Sequence, residues 1–558
     1  MRCFTNKRRR GSPGPPVATG SSPRVKIRPV FRFGVDALMN DPASVEGSRV
    51  ALLGHPAGTT SEGEPTWKAL RRLPGVTLVR LFGPEHGIDG SDQDMISVGD
   101  SVHAASGLPA RSLYGTMRAS LAPAESDFSG VDVLVCDLQD VGSRYYTFVW
   151  TACLALEAAG RAGVRMVVCD RPNPLGGALE GERQSPGFTS FVGLHPVPVR
   201  HGRTLAELLL QYQEEKRVEA DLTIVPMKAW GRRRAWPASV PWVAPSPNMP
   251  TLDTARVYPG ACLVEGTNLS EGRGTTRPFE QIGAPYLDAE RFAGRMNSLD
   301  LPGVRFRAVH FRPQFQKFAG AVCGGVFQDV VDPGIYRPYE TGLRLIETAA
   351  REAPGDFRWR CDPYEFEDRP AIDLLTGSPE FRELVDAGDD LAAFCARQRD
   401  PEPPSSEAVL YADDWPVAVA VGGHHDAGKT TVLEKLVPML RARGMCVGTV
   451  KHTPHDLDDD VPGKDSARHT AAGGDPSAFL RPSASTVRRR EEIELRRLLD
   501  RDFAECDLVL VEGFKSLPIL RIDVGRLGPF SIEFGGRDHS RNLGALAEEL
   551  ARVAGVVR

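Results

Sequence analysis

Gly423-His-His-Asp-Ala-Gly428-Lys429-Thr430-Thr431 follows the apolar run Val417 to Val421 and precedes Val432, Leu433, Leu436, Val437 and Leu440 at helical spacing. Strand, glycine-rich turn and amphipathic helix in that order are the setting of a phosphate-binding loop. The glycines let backbone N–H groups curl round a phosphate, and the helix N-terminus adds its partial positive charge. Lys429 then reaches the β- and γ-phosphates, and the Thr430 hydroxyl ligates Mg²⁺. The stretch predicts a P-loop NTPase α/β domain, with Gly423, Gly428, Lys429, Thr430 and Thr431 facing the nucleotide.

Downstream, Gly444 ends the helix and Cys446-Val-Gly-Thr-Val-Lys451 reads as the next strand. It runs into a polar segment, Lys451 to His469, that includes Asp465 and reads as a nucleotide or substrate loop. His452, His455, Asp456, Asp458 and Asp460 within it have no standard zinc spacing. A further strand, Asp507-Leu-Val-Leu-Val-Glu512, ends in an acid followed by Gly513. P-loop NTPases keep the carboxylate that acts on Mg²⁺ or water at such a strand end, so Glu512 joins Thr430 as a candidate Mg²⁺ group.

At 558 residues the chain exceeds a single core and predicts two to four domains. Apolar content of 41% and charged content of 25% are ordinary for a soluble globular protein. The net charge of -5 gives no electrostatic case for a nucleic-acid partner. The 10 cysteines contain no C-x-x-C pair, which is the usage of a reduced, cytoplasmic chain. Residues 1–30, with Lys7-Arg8-Arg9-Arg10 and no apolar h-region, read as a disordered basic tail. No run of about 18 apolar residues predicts a membrane span.

Between residues 31 and 411, apolar strands alternate with helices. The strand candidates are Arg49–Gly54, Val76–Phe82, Val131–Cys136 and Val164–Cys169; Thr66–Arg72 and Thr147–Ala162 read as helices. That alternation implies βαβ units, a Rossmann-like parallel sheet over about 31–215, and a second α/β part over about 216–411. Ligands of such sheets sit outside the carboxyl ends of the strands. His55, Glu85-His86, Asp137 to Tyr146 and Asp170-Arg-Pro-Asn173 all fall there. Ala244 to Thr254 and Glu265 to Glu280 add carboxylates, amides and arginines dense enough to recognise a polyhydroxylated, anionic ligand. Pro401, Pro403 and Pro404 mark an exposed boundary, and the P-loop domain occupies 412–558.

These segments also carry resemblances. Gly-Pro-Glu85-His86-Gly, Asp140-Val-Gly-Ser-Arg-Tyr-Tyr-Thr147, Asp170-Arg-Pro-Asn-Pro-Leu-Gly-Gly177, Pro245 to Thr254 and Glu265 to Phe279 resemble the exo-β-N-acetylmuramidases of the NamZ type over about residues 32–411. The resemblance implies a Rossmann-like domain followed by a second α/β domain, and removal of N-acetylmuramic acid from the non-reducing ends of peptidoglycan fragments. The P-loop with Thr430-Thr431, Lys451-His452-x-x-His455-Asp456, Pro462 to His469 and Leu508 to Lys515 are similar to the molybdopterin-guanine dinucleotide biosynthesis adapter proteins of the MobB type over about 416–525. That implies GTP as ligand, Mg²⁺ with it, a homodimer through this domain, at most weak GTPase activity, and partnership with molybdopterin and its guanylyltransferase. His424-His425-Asp426 stands where Ser and Gly are common in that family, with the required glycines intact.

Glycoside hydrolysis needs one carboxyl group to protonate the leaving oxygen and another group to activate water or form an intermediate. Glu85, braced between Pro84 and Gly87, is the candidate acid, and Glu271, Glu265 and Glu180 are candidates for its partner. Arg144, Arg273 and Arg277 are candidates for the lactyl carboxylate of the sugar. His86, Tyr145, Asp170, Asn173, His201, Asn248 and Asn268 are candidate hydroxyl or acetamido contacts. The preferred reading is a muramidase fused to a GTP-binding adapter. The other is a cofactor-biosynthesis GTP-binding protein whose first region binds a muropeptide or partner without catalysis.

Overall fold

The computed structural model describes residues 31–90, 101–115, 117–232, 236–237, 240–365, 367–402, 408–411, 416–424, 427–451, 477–481, 484–488, 495–503, 506–512, 519–525, 531–540 and 542–554. The first sheet has seven strands: β1 (Arg49–Gly54), β2 (Thr77–Gly83), β3 (Ser101–Val102), β4 (Pro109–Ser112), β5 (Val133–Asp137), β6 (Arg165–Cys169) and β7 (Leu222–Val225). Their order is β3-β4-β2-β1-β5-β6-β7. All neighbours are parallel except β3 with β4. The four strands read from apolar runs form the centre of this sheet. β7 adds an edge beyond residue 215, so the sheet reaches further along the chain than the 31–215 expectation.

Side chains alternate across the sheet, as its period of two requires. Ala51, Leu53, Leu134, Cys136, Met166 and Val168 enter one core with the helices Phe148–Arg161 and Leu205–Lys216. Val50, Leu52, Val133, Val135, Val167 and Cys169 enter another with the helix Gly34–Asn40. Both faces are covered, which is why these strands are apolar throughout rather than half polar. Thr204 and Glu207 start the helix Leu205–Lys216 with a reciprocal capping box.

The second part is built on an antiparallel sheet of β8 (Gln281–Ala284), β9 (Val304–Phe311) and β10 (Cys323–Val330), in the order β8-β10-β9. The helices Leu252–Ala261 and Pro338–Glu352 cross where Gly260 meets Gly342. A Cβ at Gly260 would lie 1.9 Å from the Pro338 carbonyl oxygen, so the crossing requires glycine. This contact holds the segment that follows, Cys262–Gly266, against the core. The Ala408–Tyr411 segment docks back on the first sheet, with the Tyr411 hydroxyl donating to Asp170 Oδ2 at 2.7 Å.

The third sheet contains β11 (Val417–Gly422), β12 (Val447–Lys451), β15 (Leu508–Glu512), β16 (Leu520–Val524), β17 (Ile532–Phe534) and β18 (Arg537–Asp538). Its order is β12-β15-β11-β16-β17-β18, and β13 (Ser477–Arg481) pairs separately with β14 (Ala484–Arg488). The helices Lys429–Ala442 and Leu543–Val553 contribute Val432, Leu436, Leu440, Leu546 and Leu550 to its core.

Candidate functional site

In the first sheet β1 has β2 on one side and β5 on the other, so the strand order reverses at β1. The carboxyl ends of β1, β2 and β5 therefore border the crevice where open α/β sheets bind ligands. His55 follows β1, Glu85 and His86 follow β2, and Asp137 ends β5. The His55 ring accepts the Gln139 N–H at Nε2 (2.7 Å), tying two of these strand ends together. Burial, then the Arg171 charge, hold its pKa well below the usual histidine range. His86 occupies the left-handed region at φ 74 and Gly87 follows at φ 76, closing a tight turn on the Pro84 carbonyl. The turn presents Glu85 to the first residues of the helix Phe148–Arg161, where the Thr147 hydroxyl donates to Glu85 Oε2 at 2.9 Å.

The second part carries a further group of acids. Glu265 Oε2 accepts the Tyr364 hydroxyl at 2.7 Å, and its Oε1 accepts from Arg273 at 2.8 Å. Arg273 also lies 3.5 Å from Glu271, whose other oxygen accepts from Lys317 Nζ at 3.1 Å. Burial raises the pKa of Glu271, but Lys317 and then Arg273 outweigh it and hold the carboxyl below its ordinary value. Glu265, Asn268, Glu271, Arg273, Lys317 and Trp359 line a cavity of about 640 Å³. A sugar with a carboxylate would meet cations, amides and an aromatic surface there.

Glu365, which sequence reasoning missed, lies within the electrostatic reach of both Glu85 and Glu265. It is 8% exposed, sits in the left-handed region at φ 47, and accepts the Tyr114 hydroxyl at Oε1 (3.4 Å). Tyr146, in the motif Asp140 to Thr147, is buried, and that burial mainly, with Asp140 and Glu85 adding, pushes its phenol well above the ordinary value.

Several sequence candidates are placed elsewhere. Arg144 is fully buried, and its guanidinium donates to the carbonyls of Glu182 (2.9 Å), Val197 (2.8 Å) and Leu375 (2.6 Å). It staples loops instead of offering a fork to a carboxylate. Asn173 is likewise spent on the Arg203 carbonyl (2.9 Å) and the Leu175 N–H (2.8 Å). His201 is buried 3.2 Å from Asp140, and Tyr145 is buried beside Arg144. Arg277 pairs with Glu280 and lies over the Phe327 ring, outside the cavity lining. Asn248 is buried, whereas Asn268 and Arg273 line the cavity.

Asp170 and Glu180 are also internal. Asp170 holds Tyr411 and the Ala206 N–H (3.1 Å), and Glu180 Oε1 accepts the Glu340 N–H (3.0 Å). Burial pushes each carboxyl up to about 7. A raised folded-state value means the stability these groups contribute is complete below the ordinary carboxylate range and lost as pH rises through about 7. The melting temperature of the first region is therefore expected to fall between about pH 4 and pH 7, and Glu180→Gln to flatten that fall. Calorimetry that finds the same slope in both proteins would contradict this.

In the third sheet, Gly423 has φ 145, and a Cβ there would lie 2.5 Å from the Val524 carbonyl oxygen. Gly428, at φ 86, caps the helix that begins at Lys429. The Lys429 ammonium donates to the carbonyls of Gly423 (3.2 Å) and His424 (2.7 Å), so it lies over the loop. Thr430 and Thr431 are exposed at the helix start. β15 runs between β11 and β12, and Glu512 is in register with Val421 on one side and Lys451 on the other. Glu512 and Lys451 thus stand at the same sheet end as the loop. Arg521 and Asp523 on β16, unread in the sequence, pair 2.9 Å apart beside Gly422. Asp465, Gly513 and the cluster His452 to Asp460 lie outside the described residues, as does the basic tail. Among the described residues no helix is long and apolar enough to cross a membrane.

Comparison with known proteins matches three stretches of the chain. Residues 50–253 match the family model for exo-β-N-acetylmuramidase NamZ, N-terminal, and residues 256–402 match its C-terminal counterpart. Residues 418–545 match the model for molybdopterin guanine dinucleotide synthesis protein B. The chain is 41% identical over 364 residues to the peptidoglycan β-N-acetylmuramidase NamZ of Bacillus subtilis strain 168, covering 65% of this chain and 86% of that protein. It is 42% identical over 106 residues to the molybdopterin-guanine dinucleotide biosynthesis adapter protein of Escherichia coli K12, covering 18% of this chain. There it spans 61% of the adapter's length. A DUF1343 family protein from Bacteroides fragilis NCTC 9343 superposes with a TM-score of 0.58 at 30% identity, over 66% of this chain and 94% of that one.

Proposed function

Because the chain belongs to the NamZ exo-β-N-acetylmuramidase family and carries a MobB-type domain behind it, we propose that its first region removes N-acetylmuramic acid from the non-reducing ends of peptidoglycan fragments, with Glu85 as a catalytic carboxyl group. The observation that carries this reading is the position of Glu85. It stands at the strand-order reversal of one part, bonded to Thr147, while the other part brings Glu365 within electrostatic reach of it. Arg273, Lys317 and Asn268 supply charged and amide donors for the sugar's lactyl and acetamido groups, with Glu265 and Glu271 holding the two cations in place. His86 and Asn248 are the remaining hydroxyl or acetamido contacts in this proposal. The intact protein is expected to release the chromophore of an aryl β-N-acetylmuraminide; no release from the folded protein would contradict the reading.

The second domain binds a nucleotide in this proposal, GTP with Mg²⁺, and serves molybdopterin guanine dinucleotide synthesis as a dimer with at most weak GTPase activity. The left-handed glycines at both ends of the loop and the helix starting at Lys429 form the cradle a phosphate requires. The exposed Thr430 hydroxyl and the Glu512 carboxylate would hold Mg²⁺, which screens the phosphate charge when bound. Lys451, Asp465 and Gly513 complete the proposed nucleotide contacts. The muramidase reaction in this reading takes place on fragments inside the cytoplasm.

Lys429→Ala removes a charge-assisted phosphate contact of about 1.5–3 kcal/mol, and GTP binding by calorimetry is expected to weaken about 10- to 150-fold. Unchanged affinity would remove the phosphate-loop assignment.

A further inference from the structure

The muramidase reaction needs two acid–base groups, and the candidate carboxyl partners of Glu85 differ in whether they can move a proton. Glu265 is held by Arg273 and Tyr364, and Glu271 by Lys317 and Arg273. Both are committed to ion pairs that a proton would break. Glu180 faces the helix Pro338–Glu352 from the interior of the molecule. Glu365 is the exception. Its Oε1 has one long hydrogen bond, from Tyr114, and its Oε2 is buried and, among the described residues, has no hydrogen-bond partner. A carboxylate left so would carry an unpaid desolvation cost, whereas a carboxylic acid needs only one acceptor for its O–H.

We propose that Glu365 is the second catalytic carboxyl group, the acid that gives its proton to the glycosidic oxygen, while Glu85 works on the water side. The proposal rests on the muramidase reading above and deepens it. In the net reaction the bond from the anomeric carbon to the glycosidic oxygen breaks, and that oxygen takes the Glu365 proton. The anomeric carbon takes the hydroxyl of a water, and the remaining water proton goes to Glu85. Solvent then exchanges one proton between the two carboxyl groups, and both return to their starting forms.

The groups facing Glu365 come from four places: Glu85 after β2, Glu265 after the helix Leu252–Ala261, Tyr114 after β4, and Arg360 on its own segment. Burial first, then Glu85 and Glu265, push its carboxyl up to about 8; Tyr114 and Arg360 pull the other way. Activity that needs this proton is present at neutral pH and falls as pH rises through about 8.

The test compares leaving groups in the full chain. Glu365→Gln keeps the shape of the protonated acid and is expected to lower kcat about 10²- to 10⁴-fold on an N-acetylmuramyl–N-acetylglucosamine disaccharide. On p-nitrophenyl β-N-acetylmuraminide, whose phenolate departs without a proton, the loss is expected to stay under about tenfold, and the alkaline limb of the pH profile to disappear. Tyr114→Phe, which removes the hydroxyl donated to Oε1, is expected to move that limb to higher pH. An equal loss of kcat on both substrates, no loss on either, or an alkaline limb unmoved by Tyr114→Phe would overturn the assignment. If the wild-type protein hydrolyses neither substrate, the muramidase reading itself fails, and this assignment with it.

Discussion

Glu85→Gln is expected to lower kcat for muraminide hydrolysis by about 10²- to 10⁴-fold, with KM changed only a few-fold. The amide keeps the side chain's length and can still accept the Thr147 hydroxyl that bonds Glu85 Oε2 at 2.9 Å. The left-handed turn at His86 and Gly87 also remains, so position survives and only proton chemistry is lost. An aryl leaving group does not rescue this variant, because the water side of the reaction is affected whichever group departs. That distinguishes it from Glu365→Gln. Steady-state kinetics on the two substrates measure the difference, and near wild-type kcat would remove Glu85 from the mechanism.

The second large effect is on stability. Arg171 makes a bidentate pair with Asp137 at the end of β5, Nε to Oδ1 at 2.5 Å and Nη2 to Oδ2 at 2.9 Å. The same guanidinium donates to the Thr59 carbonyl (2.6 Å) and lies 4.3 Å from the Phe33 ring centroid. Asp137 is fully buried, with Thr66 as its other partner. Replacing Arg171 by Met keeps much of the volume but strands that carboxylate without its cation. The cost is expected to be about 3–5 kcal/mol in the unfolding of the first region. Adding Asp137→Asn should recover part of it, since a neutral amide is cheaper to leave buried. Denaturant titrations of the single and double variants measure this. A loss under about 1 kcal/mol for Arg171→Met would contradict the account of the pair.

The central parallel strands of the first and third sheets were legible because buried strands of this kind are continuous apolar runs. The placement of Glu85 at a strand end was legible for a related reason: the proline and glycines around it mark a turn directly after an apolar run. The polar residues of the surrounding motifs were harder to sort. Arg144, Asn173 and Asp170 lie, like Glu85, in dense motifs after strands of the first sheet, yet they satisfy backbone groups of other loops and of a helix start. A buried staple and a ligand contact use the same residue types, and only the fold separates them. Glu365 left no local signal. Its partner Tyr114 is 251 residues away in sequence, and the value of the position comes from acids contributed by distant elements. β7 was missed because Leu222-Thr-Ile-Val225 is short, half-buried and followed by no motif. In the P-loop domain the glycines announced their own geometry, since Gly423 and Gly428 adopt conformations that other residues resist.

The first region is proposed to be an exo-acting muramidase working at Glu85. Mass spectrometry of products from the intact protein, given glycan oligomers that end in either N-acetylmuramic acid or N-acetylglucosamine at the non-reducing end, tests it most directly. The account predicts free N-acetylmuramic acid from the first set alone, and none from either set with Glu85→Gln. Release of N-acetylglucosamine, internal cleavage, or muramic acid release that survives Glu85→Gln would contradict it.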